Sequence, residues 1–252
     1  MATHIVIPDC QVKPGVNTDH IEWAGRYIVD QFGGQPDVKI VNIGDFWDMP
    51  SLSSYDKGTK AMEGRRYVHD IDAGNEAMER FNAPFREYNR GRRKKWEPER
   101  HFTLGNHCDR ISRAVNANPQ LEGALGYDQL NLDGWTVHPY LEPVWLDGVA
   151  YCHYFYQPMS GRPYSAMMET RLKTLGHSFT QGHQQTLLFG IRYTLAGPHY
   201  GLVAGAFYSH DEAYKGPQGN DHWRGIVVKH EVRNGRYDPM FISLDYLQRR
   251  YG

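Results

Sequence analysis

The sequence contains few cysteines and no long apolar run. Its 252 residues include three cysteines, Cys10, Cys108 and Cys152, and this small odd number argues against a disulfide framework. No stretch approaches the roughly 18 apolar residues that a membrane-spanning helix needs, and the N-terminus lacks a signal-peptide pattern. We therefore expect a cytoplasmic protein that does not contact membranes.

The sequence also lacks an excess of charge of either sign. Lysine and arginine total 28 and acidic residues 29, so no global positive field would hold a nucleic acid unaided. Internal repeats, low-complexity tracts and long linkers are absent as well. We predict a single domain over residues 1–252, which is long enough to bury a substantial core.

The hydrophobic pattern changes along the chain from alternating strands and helices to strands alone. Apolar runs at residues 4–8 and 38–43 flank a helical repeat, so the chain begins as β-α-β. A second helical repeat covers about residues 63–89. Short strands dominate after residue 135, interrupted by one helix at about residues 163–175. This pattern predicts an α/β fold with two sheets packed face to face and helices outside.

Five polar motifs follow the predicted strands, where α/β sheets place their functional groups. Carboxylate, amide oxygen and imidazole side chains together suit manganese, iron, zinc or magnesium better than an all-thiolate site would. Glycines in the motifs let the backbone turn sharply into a crowded edge. The motifs are Asp9-Cys10-Gln11, Gly44-Asp45-Phe46-Trp47-Asp48, Gly105-Asn106-His107, His153 and Gly182-His183-Gln184.

The order of these motifs resembles that of the calcineurin-like metallophosphoesterase superfamily, which has D-x-H, G-D-x-x-D, G-N-H-D/E, H and G-H-x-H. The match covers about residues 4–184. Residues 45–55 and 216–219 are similar to members encoded by tailed bacteriophages, which would place the protein in a host cytoplasm. The resemblance implies a sandwich of two mixed β-sheets with outer helices.

The resemblance also implies the reaction. The enzyme would hydrolyse phosphodiester or phosphomonoester bonds, and we favour a nucleotide or nucleic acid as substrate. A metal-bound hydroxide would attack phosphorus. His107 would protonate the leaving oxygen, and Asp48 would hold His107 or a metal-bound water in place.

The implied metal ligands fall into two positions. Asp45 would bridge two ions, and Asn106, His153 and His183 would complete the shell of one of them. Asp9 would help to bind the other. We expect one or two divalent ions per chain, manganese first, with iron, zinc, nickel and magnesium as alternatives.

Three residues depart from the family pattern. Gln11 occupies the histidine of D-x-H, and we assign Gln184 to the final histidine of G-H-x-H; both positions belong to the same metal. A glutamine oxygen is a weaker and harder donor than imidazole, so this metal should bind more weakly and prefer manganese or magnesium to zinc. Cys108 replaces a carboxylate that would orient His107. Either Asp109 would substitute for that carboxylate or His107 would be less well tuned. A thiolate ligand at Cys108 is a separate alternative, which would shift the metal preference toward zinc or iron.

The sequence signals for substrate-binding residues are less specific than those for the metal ligands. We predict Arg162 and Arg224 as phosphate clamps. The basic residues 90–95 either complement the end of a helix or grip phosphates. Trp47 and Tyr55 either stack on a base or pack in the core.

Two other functions stay open. The two glutamines and Cys108 suit a catalytically weakened module that binds metal and phosphate in a regulatory role. The motifs also suit a metal-stabilised structural part of a larger assembly, although the sequence names no protein partner.

Overall fold

The computed structural model describes residues 1–157, 159–212 and 215–252. Within these residues the strands are β1 (Ala2–Ile7), β2 (Val38–Asn42), β3 (Glu99–Thr103), β4 (Thr136–His138), β5 (Val144–Leu146), β6 (Val149–Tyr151), β7 (Phe179–Gln181), β8 (Leu187–Thr194), β9 (Gly197–Ala204), β10 (Gly225–Arg233) and β11 (Arg236–Ser243). The helices are α1 (Asp19–Phe32), α2 (Tyr67–Asn89), α3 (Arg110–Ala117), α4 (Met168–Leu175), α5 (Gly216–Asn220) and α6 (Leu244–Tyr251).

The strands form two mixed sheets. The first has the order β11-β10-β1-β2-β3-β4, and the second has the order β5-β6-β7-β9-β8. β1, β2, β3 and β4 run parallel, and β10 and β11 add antiparallel pairs at one edge. In the second sheet β6, β7 and β9 run parallel, while β5 and β8 pair antiparallel at the edges. Each sheet therefore has a parallel centre whose strand ends point in one direction.

The two sheets pack against each other through a shared apolar core. Val6 and Val41 of the first sheet belong to the same buried cluster as Tyr151 and Leu202 of the second. Lys229 is also buried in this interface, where its Nζ atom donates to the Tyr151 hydroxyl at 3.2 Å. Burial lowers the pKa of Lys229 well below its usual value, because the side chain loses its water on folding.

The helices cover the outer faces of this sandwich. The α1 residues Ile21 and Ile28 share a buried cluster with Ile5 of β1, and α2 and α6 contribute Phe81 and Leu247 to the same cluster. On the other side, Leu172 of α4 packs with Ala150 and Phe179 of the second sheet. The predicted α/β sandwich with outer helices is confirmed.

The predicted elements agree with the structure in order more than in extent. The helix predicted at residues 163–175 begins only at Met168, and the strands β5 and β8 and the helices α3 and α6 were not predicted. In the described ranges, no helix is both long enough and apolar enough to cross a membrane. The assignment of residues 1–252 to one domain stays a prediction.

Candidate metal centre

The five motifs meet at one edge of the sandwich. Asp9 and Asp45 follow β1 and β2, and Asn106 follows β3. His153 and His183 follow β6 and β7 of the second sheet. Because these strands are parallel within each sheet, their carboxyl ends bring the motifs together from both sides of the sandwich.

Four side chains form the centre of the site. The Asn106 Oδ1 atom lies 2.9 Å from His153 Nε2 and 2.7 Å from His183 Nδ1. Asp45 Oδ2 lies 3.1 Å from His153 Nε2. The ligand atoms of Asp45, His153 and His183 all lie within 4.8 Å of one another. One carboxylate, one amide oxygen and two imidazoles at this spacing fit a divalent ion such as manganese, iron or zinc.

The hydrogen bonds of His153 explain why this centre attracts a cation. Its Nδ1 atom lies 2.8 Å from the Ile43 carbonyl oxygen, which can only accept, so Nδ1 carries a hydrogen. In the neutral ring Nε2 then presents a lone pair toward the oxygens of Asn106 and Asp45. Lone pairs that face one another in a buried site require a proton or a metal ion between them.

The pKa values at the centre reflect the same requirement. Burial disfavours the charged form of His153, but the charge of Asp45 raises its pKa to about 9. Burial and the charge of His153 lower the pKa of His183 to about 4, so His183 is neutral near pH 7. Burial opposes ionisation of Asp45 too, yet His153 and His107 hold its pKa well below the usual value.

Glycines allow the ligands to approach each other. A Cβ atom at Gly105 would overlap Asp45 Oδ1, and one at Gly182 would overlap Asp9 Oδ1. The backbone is also strained here, since Asp45 has a φ of 51° and His183 a φ of 66°. Left-handed conformations of non-glycine residues are costly and occur often at functional sites.

Asp9 and Gln11 lie beside this centre with incompletely satisfied oxygens. Asp9 Oδ1 accepts a hydrogen bond from the His183 backbone amide at 3.1 Å. Within the described parts of the chain, Asp9 Oδ2 and Gln11 Oε1 are buried without a hydrogen-bond partner. Burial, opposed by His153 and assisted by Asp45, raises the pKa of Asp9 to about 6. These two oxygens are suited to a cation or to a donor.

The assignment of Gln184 to the last position of G-H-x-H was wrong. That position lies two residues after His183, which is Gln185. The Gln184 side chain instead donates to the Tyr164 carbonyl oxygen at 3.0 Å. Gln185 is buried, and its Oε1 atom accepts from the Tyr208 hydroxyl at 2.8 Å and from the ammonium of Lys215. Gln185 is therefore the residue at the last position of G-H-x-H.

His107 lies against the centre and is held by Asp48. Its Nδ1 atom is 2.5 Å from Asp48 Oδ1, and its Nε2 atom is 3.8 Å from Asp45 Oδ2. Burial opposes protonation, but Asp45 and Asp48 raise the pKa of His107 above its usual value. His107 thus has Nδ1 held by Asp48 and Nε2 directed toward Asp45, with a pKa shifted toward the protonated form.

Cys108 and Asp109 have other surroundings. Burial raises the pKa of the Cys108 thiol to about 12, so a thiolate ligand is not favoured. Asp109 pairs with Arg113 at 3.2 Å at the start of α3. The carboxylate that orients His107 is that of Asp48.

A cleft of about 890 Å³ opens over this centre and is lined by Asn106, His107 and His183. Arg110 and Lys13 also line it, and the sequence did not indicate either of them. Arg110 donates to the Asp48 carbonyl oxygen at 2.8 Å. Lys13 lies 2.6 Å from Glu212 and 3.5 Å from Asp48. These cations balance carboxylates around His107.

The two arginines predicted to clamp phosphate do not line this cleft. Arg162 is exposed on the loop before α4. Arg224 donates to Asp211 at 2.8 Å and to the Ser209 carbonyl oxygen at 3.1 Å, so its guanidinium is already engaged. Both predictions rested on their place in turns, and turn position did not decide where the side chains went.

The other residues considered for substrate binding differ in whether they reach the cleft. Lys95 donates to the Asn89 carbonyl oxygen at 2.6 Å, which supports the interpretation of the basic cluster as a complement to the end of α2. Trp47 is fully buried against Gly74 of α2. Tyr55 is 88% exposed and lines the cleft. Only Tyr55 of these two aromatic residues is placed to contact a ligand.

Comparisons with known proteins give only a distant structural likeness. No family model matches the chain, and no curated protein matches its sequence. A single mutant of Vps29 from Entamoeba histolytica has a TM-score of 0.41 and 11% identity, with 96% of this chain and 98% of that chain covered. Wild-type Vps29 from the same organism, complexed with zinc, has a TM-score of 0.39 and 9% identity over 96% and 99% of the two chains.

Proposed function

We propose that this chain is a metal-dependent phosphoesterase. The observation that supports the proposal is the convergence of Asp45, Asn106, His153 and His183 beside the proton donor His107. These four residues would hold a divalent ion, which would supply Lewis acidity to a phosphoryl oxygen and lower the pKa of a bound water. The family resemblance of the motifs agrees with this chemistry.

The residues of the chain supply proton transfer and orientation. Asp48 fixes Nδ1 of His107, so that Nε2 points to the leaving oxygen of a phosphoester in the cleft. Burial opposes protonation of His107, but Asp45 and Asp48 raise its pKa above the usual value and so favour the protonated ring. After transfer, the ring remains held by the same carboxylate and can regain a proton from water.

A nucleotide or a nucleic-acid phosphodiester is the substrate that we favour. The cleft of about 890 Å³ is large enough for a nucleotide-sized ligand, and the exposed Tyr55 offers a surface for base stacking. Arg65 and Arg66 line the same cleft and supply positive charge.

Hydrolysis of bis-p-nitrophenyl phosphate and p-nitrophenyl phosphate tests the proposal. The apo protein is loaded separately with manganese, zinc, iron, nickel and magnesium. We expect turnover with at least one ion, and loss of both turnover and ion retention in Asp45→Ala. The matched control Asp109→Ala should keep both, because Asp109 pairs with Arg113 outside the centre. Absence of turnover with every ion contradicts the proposal.

A regulatory binding module is the second candidate. Gln11 and Gln185 stand where the family pattern has histidines, which favours a weakened site. This function predicts that calorimetry detects an ion and inorganic phosphate bound to a protein without turnover.

A further inference from the structure

The ammonium of Lys215 contacts Gln185, the residue at the position where the family pattern has a histidine ligand of the second metal. Gln185 Oε1 accepts from the Lys215 ammonium and from the Tyr208 hydroxyl, the latter at 2.8 Å. The ammonium also donates to that hydroxyl at 2.7 Å. An amide oxygen has two lone pairs. Both are therefore engaged by donors in this structure.

Nearby carboxylates provide a charge balance for this ammonium. Burial lowers the pKa of Lys215, while the charges of Glu212 and Asp9 act in the opposite direction and favour its charged form. Asp9 Oδ2 is one of the buried oxygens that have no hydrogen-bond partner in the described ranges. Lys215 thus supplies positive charge to the side of the site that lacks imidazole.

A divalent ion and this ammonium would repel each other at this position. An ion bound to Gln185 Oε1 would lie within a few ångströms of the Lys215 nitrogen. Charges of +2 and +1 at about 5 Å repel by more than 1 kcal/mol even at the dielectric constant of water. Two amide oxygens and shared carboxylates do not provide the imidazole nitrogens that would offset this repulsion.

We propose that the ammonium of Lys215 fills the second cation position and that the site binds one divalent ion instead of two. This inference rests on the proposed function, because it requires the first ion at Asp45, Asn106, His153 and His183. Lys215 then acts as a permanent monovalent charge next to the metal. A phosphoester in the cleft would meet one metal ion and one ammonium.

Calorimetric titration of the metal-free full chain with zinc tests this inference without using activity. The unmodified protein should bind one ion. In the background Gln11→His with Gln185→His, which restores two imidazoles, replacing Lys215 by methionine should tighten the second ion at least about tenfold. Lys215→Arg keeps the charge and should leave that ion weak. The exposed Lys173→Met is the matched control and should have no effect.

The outcomes separate the two proposals. Two ions on the unmodified chain overturn the role of Lys215 and leave the phosphoesterase proposal standing. Equal affinity for the second ion with lysine and methionine at position 215 does the same. Failure of the unmodified chain to bind any ion overturns both proposals. Thermal melting followed by circular dichroism establishes that each variant is folded, and the arginine variant supports or contradicts the inference even if the methionine variant fails to fold.

Discussion

The two sides of the candidate site differ in the positive partner that their acceptor atoms have before a metal ion binds. On one side, the imidazole side, Asn106 Oδ1 lies within 3 Å of His153 Nε2 and His183 Nδ1, and the positive partner is a proton on His153 that a divalent ion can displace. On the other side, Gln185 Oε1 receives two donors, one of them the Lys215 ammonium. We therefore expect metal affinity to depend on the cation that the protein already provides as much as on the number of ligands.

Replacing the proposed proton donor His107 should produce the largest loss of turnover, and it should leave the metal ligands on the imidazole side in place. His107→Gln should lower turnover by about 10²- to 10⁴-fold, because general acid catalysis contributes that much. Ion content should not change, since His107 is not one of the four ligands. Loss of the ion in this variant would contradict the separation of roles.

Asp48→Asn gives the related but smaller test. A general acid works only when protonated, so activity falls as pH rises through the pKa of His107. Asp48 raises that pKa, and its neutralisation should move the falling limb of the pH profile to lower pH. An unshifted limb would show that Asp48 does not tune His107.

A methyl group at Gly105 should damage the imidazole side through geometry alone. Its Cβ would overlap Asp45 Oδ1, so Gly105→Ala should weaken ion binding by more than about tenfold. The cost in unfolding free energy should be about 1–3 kcal/mol. The control is Gly123→Ala, where no atom lies within 4 Å. It should cost about 1 kcal/mol of backbone strain and leave ion affinity unchanged.

The smallest expected effect is the release of protons from the protein when an ion binds. The pKa of His153 near 9 means that its ring is protonated at pH 7 before an ion binds, whereas His183, with a pKa near 4, is not. Ion binding must displace the proton from His153, so about one proton per chain should leave. Calorimetry in buffers of different ionisation enthalpy measures this number. No buffer dependence at pH 7 would contradict the account of His153.

The sequence predicted which side chains meet on the imidazole side, because these residues follow short apolar strands. Asp45 and His183 each come directly after such a strand, and parallel strand ends must meet at an edge. β8 was missed because its residues are half exposed at a sheet edge and do not alternate clearly. α6 was missed because it is short and begins directly where β11 ends.

Local sequence patterns did not predict the contact between Lys215 and Gln185. Lys215 lies 30 residues after Gln185, and only the return of the chain before α5 brings the two side chains together. Lys13 likewise reaches Glu212 across 199 residues. Arg162 and Arg224 were predicted to bind phosphate because they lie in turns. In the structure Arg162 is exposed to solvent and Arg224 pairs with Asp211, and neither side chain lines the cleft. Charge pairing over such distances follows from the assembled fold.

Anomalous scattering from crystals loaded with manganese or zinc tests the asymmetric site most directly. We predict one peak per chain, within coordination distance of Asp45 Oδ2, Asn106 Oδ1, His153 Nε2 and His183 Nδ1. The Lys215 nitrogen should remain bonded to Gln185 Oε1 beside it. A second peak in contact with Asp9, Gln11 and Gln185, with Lys215 displaced, would contradict the account.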